Sequence, residues 1–154
     1  MTIFLPHAVQ RRLASALAKA GNREIGGVLM GEDMGEASYR IVDFTKQPAE
    51  GTAASFIRSV TDCLAPLRKF FHKHDHDYRR FDYLGEWYSH PLFIPRPSST
   101  DIETMRGIVS DPEVGATFVV LLIIRLDSTG RLEGSATVFL PHGRWFEGEA
   151  VFEN

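Results

Sequence analysis

The chain has 154 residues, about one domain's worth, and its 44% hydrophobic content can fill a core without crosslinks. Its 11% aromatic and 24% charged shares exclude disordered and collagen-like classes. With 17 Lys and Arg against 20 Asp and Glu, the formal net charge of −3 excludes a global positive field for nucleic acid or an anionic membrane.

A single cysteine, Cys63, rules out an internal disulfide and a cysteine-based zinc cluster, and it fits a reducing, cytoplasmic setting. The opening MTIFLPHAVQRR has too short an apolar stretch, with its basic residues on the wrong side, to read as a secretory signal. The longest apolar run, Ala116 to Ile124 with Thr117 inside it, is about half the roughly 20 residues a membrane helix needs.

In chain order, Ile3 to Leu5 predicts a short strand, and Pro6 suits the first turn of a helix carrying Val9, Leu13, Ala16, Leu17 and Ala20 at helical spacing. Gly21-Asn22 stops it. The Gly-rich stretch Ile25 to Gly31 predicts a buried strand, Asp33 to Glu36 a turn, and Tyr39 to Phe44 a partner strand. Gln47 to Ser55 reads as a loop. Phe56 to His74 reads as a helix that Pro66 should kink, with a solvated end in His72, His74 and His76.

Tyr83 to His90 predicts a strand, Pro91 to Ser99 a proline-stiffened loop, and Thr100 with Glu103 a capping box opening a helix that Asp111-Pro112 ends. Thr117 to Leu126 reads as a strand buried on both faces, and Arg131 to Leu140 and Trp145 to Phe152 as further strands. Residues 1–154 therefore read as one α/β layered domain whose sheet is at least partly antiparallel.

Chemistry concentrates in Gly85-Glu-Trp-Tyr-Ser-His90-Pro91 and in Ser98-Ser-Thr-Asp101, with Glu24 ahead of the glycine-rich strand. A strand-end histidine and a first-turn aspartate can converge on one point. One His, one Asp and one Glu are the parts of a hydrolytic zinc centre, with N and O ligands to the ion and a carboxylate that takes the proton from its water.

This pattern resembles the JAMM (JAB1/MPN) metalloproteases, and GEWxSHP followed by PxPSxxD is similar to their prokaryotic branch. The resemblance implies a JAB1/MPN-like layered fold with a mixed, largely antiparallel sheet flanked by helices. It assigns Glu24 as general base, His90 and Asp101 as zinc ligands, and Ser98 as the hydroxyl near the scissile carbonyl. It implies an isopeptidase or peptidase that removes or matures a ubiquitin-like protein, in a bacterial pathway with E1/E2-like partner enzymes.

The first histidine ligand of that motif is Tyr88 here. A phenol must lose a proton of reference pKa about 10 before it binds zinc well. Three accounts stand: a metal-poor pseudoenzyme that binds a ubiquitin-like tail or scaffolds a complex; a site completed by Tyr88 itself or by His72, His74 or His76; or an altered residue, since His and Tyr codons differ by one base. A hydrolase acting on small conjugates of a sulfur-carrier protein would share the same site.

Each candidate also has an ordinary structural role. Asp101 suits a helix N-terminus, Ser98 or Ser99 a cap, and Glu24 a solvated charge. Trp87 should be packed rather than catalytic, and the histidine run reads as a solvated helix end.

Overall fold

A computed structural model describes residues 1–48 and 64–154. In chain order its elements are β1 (Thr2–Leu5), α1 (His7–Ala20), β2 (Ile25–Gly35), β3 (Ser38–Phe44), β4 (Gln47–Pro48), α2 (described over 64–73), β5 (Phe81–Ser89), α3 (Ser99–Ser110), β6 (Val119–Leu126), β7 (Leu132–Phe139), a 3-10 turn at Pro141–Gly143, and β8 (Trp145–Phe152). Cys63 and the first part of the helix predicted over Phe56–His74 lie outside the described residues.

Pro6 precedes α1 with φ −59°, and Val9, Leu13, Ala16, Leu17 and Ala20 are all buried on one face. Each large member of that face contributes roughly 1.5–3 kcal/mol by leaving water. Gly21, at φ 60°, closes the helix by donating its N–H to the Leu17 carbonyl. The β2–β3 hairpin turns at Glu36 and Ala37, with φ 52° and 55°, so β2 runs through Gly35 instead of ending at the turn predicted over Asp33–Glu36. Gln47 and Pro48, predicted as loop, form the short β4 against Ile25 and Gly26.

The sheet order is β3-β1-β8-β7-β6-β5-β2-β4, and β3 also pairs with β2. Seven strands thus close into a ring of pairings with β4 appended to β2. The pairs β1–β3, β1–β8 and β5–β6 are parallel and the others antiparallel. A parallel pair needs a crossover, and the β5–β6 crossover contains α3.

Alternation on β6 explains why its apolar run is unbroken. Val120, Leu122 and Ile124 join the α1 cluster with Trp87, whereas Val119, Leu121 and Ile123 pack with Met105, Ile108 and Val109 of α3. Trp87 is fully buried, meets Phe44 edge-on and donates its indole N–H to the Thr45 carbonyl at 2.8 Å, so it is structural as expected. No helix among the described residues is long and apolar enough to cross a membrane.

β5 carries an irregularity that sets the direction of its later side chains. Its register against β2 shifts between Leu29 and Met30, opposite Gly85 and Tyr83, and Gly85 sits at φ 149°. A Cβ there would meet the Val120 carbonyl oxygen at 1.9 Å. Gly85→Ala is expected to lower unfolding stability by about 3 kcal/mol, since it adds backbone strain to a backbone clash. Urea denaturation checks this, and a change under about 0.5 kcal/mol, ordinary for a free surface site, would show that the bulge relaxes.

Candidate active site

The N-terminal end of β2 and the C-terminal end of β5 run antiparallel in a register that pairs Gly26 with Tyr88, Gly27 with Trp87 and Val28 with Glu86. Continued by two residues, that register sets Glu24 opposite His90. The extension is bonded: the Ile25 N–H donates to Ser89 Oγ at 2.9 Å, and on the other side the His90 N–H donates to the Ile124 carbonyl at 3.0 Å. Glu24 itself is exposed, and its charge reaches His90 closely enough to help raise the imidazole's proton affinity.

The loop after β5 returns the chain to α3, whose first turn faces His90. Ser98 caps α3: its Oγ accepts the Asp101 N–H at 3.1 Å, and the Asp101 Oδ2 accepts the Ser98 N–H at 2.8 Å. The capping box is therefore Ser98 with Asp101, two residues earlier than the Thr100–Glu103 box predicted from sequence. Both spacings satisfy the pattern, and the helix begins at Ser99, which leaves Ser98 as the cap. As a hydroxyl, Ser98 accepts with one lone pair and keeps its proton to donate elsewhere.

Asp101 Oδ2 also lies 3.3 Å from His90 Nε2, with both side chains largely buried. Burial acts to raise the Asp101 carboxyl, but its bonds to His90 and Ser98 outweigh that and hold it below the ordinary 3.8. The same bond raises His90 above its ordinary 6.5 against the opposing effect of burial, and the Ile94 carbonyl and the charges of Asp101 and Glu24 add to the rise. Each group thus favours the charged form of the other.

The opposite ring nitrogen, Nδ1, lies 3.3 Å from the Ile94 carbonyl oxygen. A carbonyl only accepts, so Nδ1 carries a proton and Nε2 is the nitrogen whose lone pair can be freed. That is the usual arrangement of a metal-binding imidazole, with one N–H tied to backbone and the other nitrogen facing the ion. Bonds of roughly 2.0–2.1 Å to a tetrahedral zinc place two ligand atoms roughly 3.3 Å apart, which the His90–Asp101 separation matches. The residues present fit the ion at these two points.

Tyr88 stands at the third position. Its ring packs beside Gly26, where a Cβ would lie 2.5 Å from Tyr88 Cδ1, and against the α3 cluster. Burial, then the charges of Glu86 and Asp101, push the phenol well above its ordinary pKa of 10. The surroundings thus keep Tyr88 protonated, which opposes its use as a third ligand. The histidine run is no substitute: His74 stacks on Phe81 at 4.0 Å between ring centroids, at the opposite end of β5 and roughly 23 Å from Tyr88 at ~3.3 Å per residue. Among the described residues no three His, Cys, Asp or Glu side chains gather as a metal-binding group.

One residue at the site went unassigned in the sequence. Glu86 is 1% exposed, shares a strand face with Tyr88, and accepts the Tyr83 hydroxyl proton at 2.8 Å. Burial raises its carboxyl to about 8, partly offset by the Tyr83 bond. The available signal was a charged residue alternating in step with Tyr88 and His90.

A family model described as prokaryotic homologs of the JAB domain matches residues 6–135. The chain is similar to the CD-NTase/cGAS isopeptidase of Enterobacter hormaechei subsp. hoffmannii (strain UCI 50), with 31% identity over 140 residues, covering 89% of this chain and 74% of that protein. In fold it is similar to the solution structure of protein DSY2949 from Desulfitobacterium hafniense, with a TM-score of 0.61 and 18% identity over 99% of this chain and 93% of that one. It also resembles the solution structure of a Salinibacter ruber protein, with a TM-score of 0.54 and 16% identity over 97% and 91% of the two chains.

Two outcomes follow from the geometry. Ser98→Ala should lower stability by about 1 kcal/mol through loss of the cap, measured by chemical denaturation, and an unchanged midpoint would mean that the hydroxyl does not cap α3 in solution. For Glu86, the unfolded carboxyl titrates near 4.5 and the folded one near 8, so between those values the folded state holds the extra proton and stability falls as pH rises. Glu86→Gln keeps the acceptor for Tyr83 and should flatten that decline, gaining on the parent chain most at pH 8 and little at pH 4.5. Thermal melts across this range decide; parallel curves would mean that Glu86 is ionised in the fold.

Proposed function

The chain belongs to the family of prokaryotic homologs of the JAB domain, and from that premise we propose that it is an isopeptidase of JAB type acting on a ubiquitin-like protein conjugate, with zinc held at His90 and Asp101 and with metal affinity kept low by Tyr88. The observation that carries the reading is the His90–Asp101 pair, one N and one O donor 3.3 Å apart, with His90 Nδ1 tied to backbone. The similarity to a protein named as an isopeptidase supports the reaction class. E1/E2-like partner enzymes and a cytoplasmic setting belong to the same proposal.

When bound, zinc supplies Lewis acidity and lowers the pKa of a coordinated water toward ~7. The work of this chain's own residues follows from their positions. His90 would hold the ion through Nε2 in its neutral form, while its Nδ1–H stays donated to the Ile94 carbonyl and fixes the ring plane. Asp101 keeps one oxygen on the Ser98 N–H, so the cap holds the carboxylate in place. Glu24, exposed and opposite His90 in register, is free to accept the proton of the attacking water and return it to the departing amine. The Ser98 hydroxyl, which bonds the Asp101 carboxylate, would turn its proton to the oxygen that becomes negative as the carbonyl is attacked.

A second reading rests on Tyr88 alone: a domain that binds a ubiquitin-like tail without cleaving it. Zinc titration followed by hydrolysis of a ubiquitin–aminocoumarin amide separates the two. Weak zinc uptake by the parent chain, tightened roughly 100-fold or more by Tyr88→His, is expected, since a zinc ligand is worth about 3 kcal/mol when the total is shared among four. Amide cleavage should rise with it and fall roughly 100-fold or more on Glu24→Ala in the same background. Absence of zinc uptake even with Tyr88→His would sink the metal reading, and zinc uptake without cleavage would favour the binding module.

A further inference from the structure

α1 and the described part of α2 carry six of the chain's 17 Lys and Arg, namely Arg11, Arg12, Lys19, Arg68, Lys69 and Lys73, and none of its 20 Asp and Glu. A chain with a net charge of −3 thus sets a purely cationic pair of helices against an acidic remainder. The two helices border adjoining hollows that share Arg12 and Phe44. One, of ≈ 580 Å³, runs along α1 beside Arg11, Lys19 and Lys46. The other, of ≈ 620 Å³, is bounded by Lys69 and Lys73 of α2 and has Met30, Val42 and Phe70 as an apolar floor.

The carboxylate on this lining, Asp43, is already engaged. Arg12 Nη2 lies 2.8 Å from its Oδ1, and the same guanidinium sits 4.6 Å over the Phe44 ring. Among the described residues no carboxylate pairs with Arg11, Lys19, Lys46, Lys69 or Lys73, and all five side chains are exposed. The rims therefore ask for anionic groups and the floor for apolar ones. A nucleic-acid strand would bring phosphates to the rims, but it also needs free aromatic faces for its bases. The Phe44 ring is covered by Arg12 and meets Trp87 edge-on at 5.6 Å, and Phe70 is buried, so neither offers one. A protein segment with one apolar and one acidic side satisfies rims and floor together, as in other helix-in-groove contacts.

We propose that this groove docks an acidic, amphipathic segment of a partner protein, with its apolar side chains on Met30, Val42 and Phe70 and its carboxylates on the lysines of the rims. The bound segment is a tether and not the chain to be cut. α1 packs with Val120, Leu122 and Ile124, whereas α3, which carries Asp101, covers the opposite face of β6. The inference stands on charge and shape alone and does not depend on the isopeptidase reading.

The probe is a fluorescein-labelled peptide of Glu, Ala and Leu patterned as an amphipathic helix, beside a scrambled peptide of the same composition and a labelled single-stranded DNA. Anisotropy titrations compare the parent chain with Lys69→Glu plus Lys73→Glu. Arg106→Glu plus Arg144→Glu makes the same change of net charge away from the groove. The parent chain should bind the amphipathic peptide roughly 10-fold or more tighter than the scrambled one, less tightly as salt rises, and the groove variant should lose roughly 10-fold or more. The control should bind as the parent does, and both variants should keep its thermal midpoint, since all four side chains are exposed. Lys19→Glu plus Lys46→Glu should weaken the same peptide from the other hollow, so a loss of fold in one pair leaves the other to decide. No peptide binding, equal binding of the scrambled peptide, or equal loss in the control overturns the proposal. DNA bound more tightly than the peptide, and lost in the groove variant, makes the groove a nucleic-acid surface and overturns it as well. So does a dimer of the parent chain in sedimentation that the groove variant dissolves, or displacement of the peptide by excess ubiquitin.

Discussion

Asp101 is held by three neighbours at once. One oxygen accepts the Ser98 N–H and faces His90 Nε2, its own N–H is taken by Ser98 Oγ, and its charge bears on Tyr88. A carboxylate in the first turn of a helix is favoured by the helix field and by the orphan N–H groups there, so α3 would accept Asp101 with no function at all. The cap nevertheless fixes where the carboxylate sits, and β5 fixes where His90 sits. Their meeting depends on the seven residues between His90 and Ser98 returning the chain to the same point. The hydrogen bonds from Arg125, Ser135 and His90 into that loop keep the return rigid.

This arrangement makes the replacement at position 88 more than the loss of one nitrogen. Tyr88 lies between Glu86 and Asp101, both of which raise its proton affinity when charged, and burial works in the same direction. Acidic neighbours of that kind suit a group that is metal-bound or cationic. Around a phenol they do the opposite of activation, and they lock the proton on. Burial keeps Glu86 protonated against the opposing hydrogen bond from Tyr83, so that the interior carries no unpaired negative charge beneath the site. The strand is therefore electrically consistent with Tyr88 in its neutral form.

The order of elements and the site motif were legible in the sequence because each rests on local chemistry. Val9, Leu13 and Leu17 keep a helical period, the β6 run is apolar on both faces, and His90, Ser98 and Asp101 fall at fixed spacing around a proline-rich loop. What was not legible depends on contacts between distant segments. The closing of the sheet through β3–β2 and β3–β1 leaves no mark in any one strand. The helix cap was misplaced by two residues because Ser98–Asp101 and Thr100–Glu103 satisfy the same pattern. Glu86 was passed over because a glutamate in a strand looks solvated until α3 and β6 cover it. The histidine run had the composition of a ligand set, yet the direction of β5 carries it to the far end of the strand.

The loop after His90 joins two properties that are usually separate. Orienting the imidazole requires a carbonyl fixed in front of Nδ1, and the Ile94 carbonyl can be fixed only if the backbone around it is fixed. Once Phe93, Ile94 and Pro95 turn their carbonyls inward, the side chains of Leu92, Phe93 and Ile94 have nowhere to go but outward. The exposure of Leu92, Phe93 and Ile94 is thus the geometric counterpart of the oriented histidine. A polar sequence at 92–94 would satisfy the same backbone bonds and would cost nothing in water, so the backbone does not demand Leu, Phe and Ile.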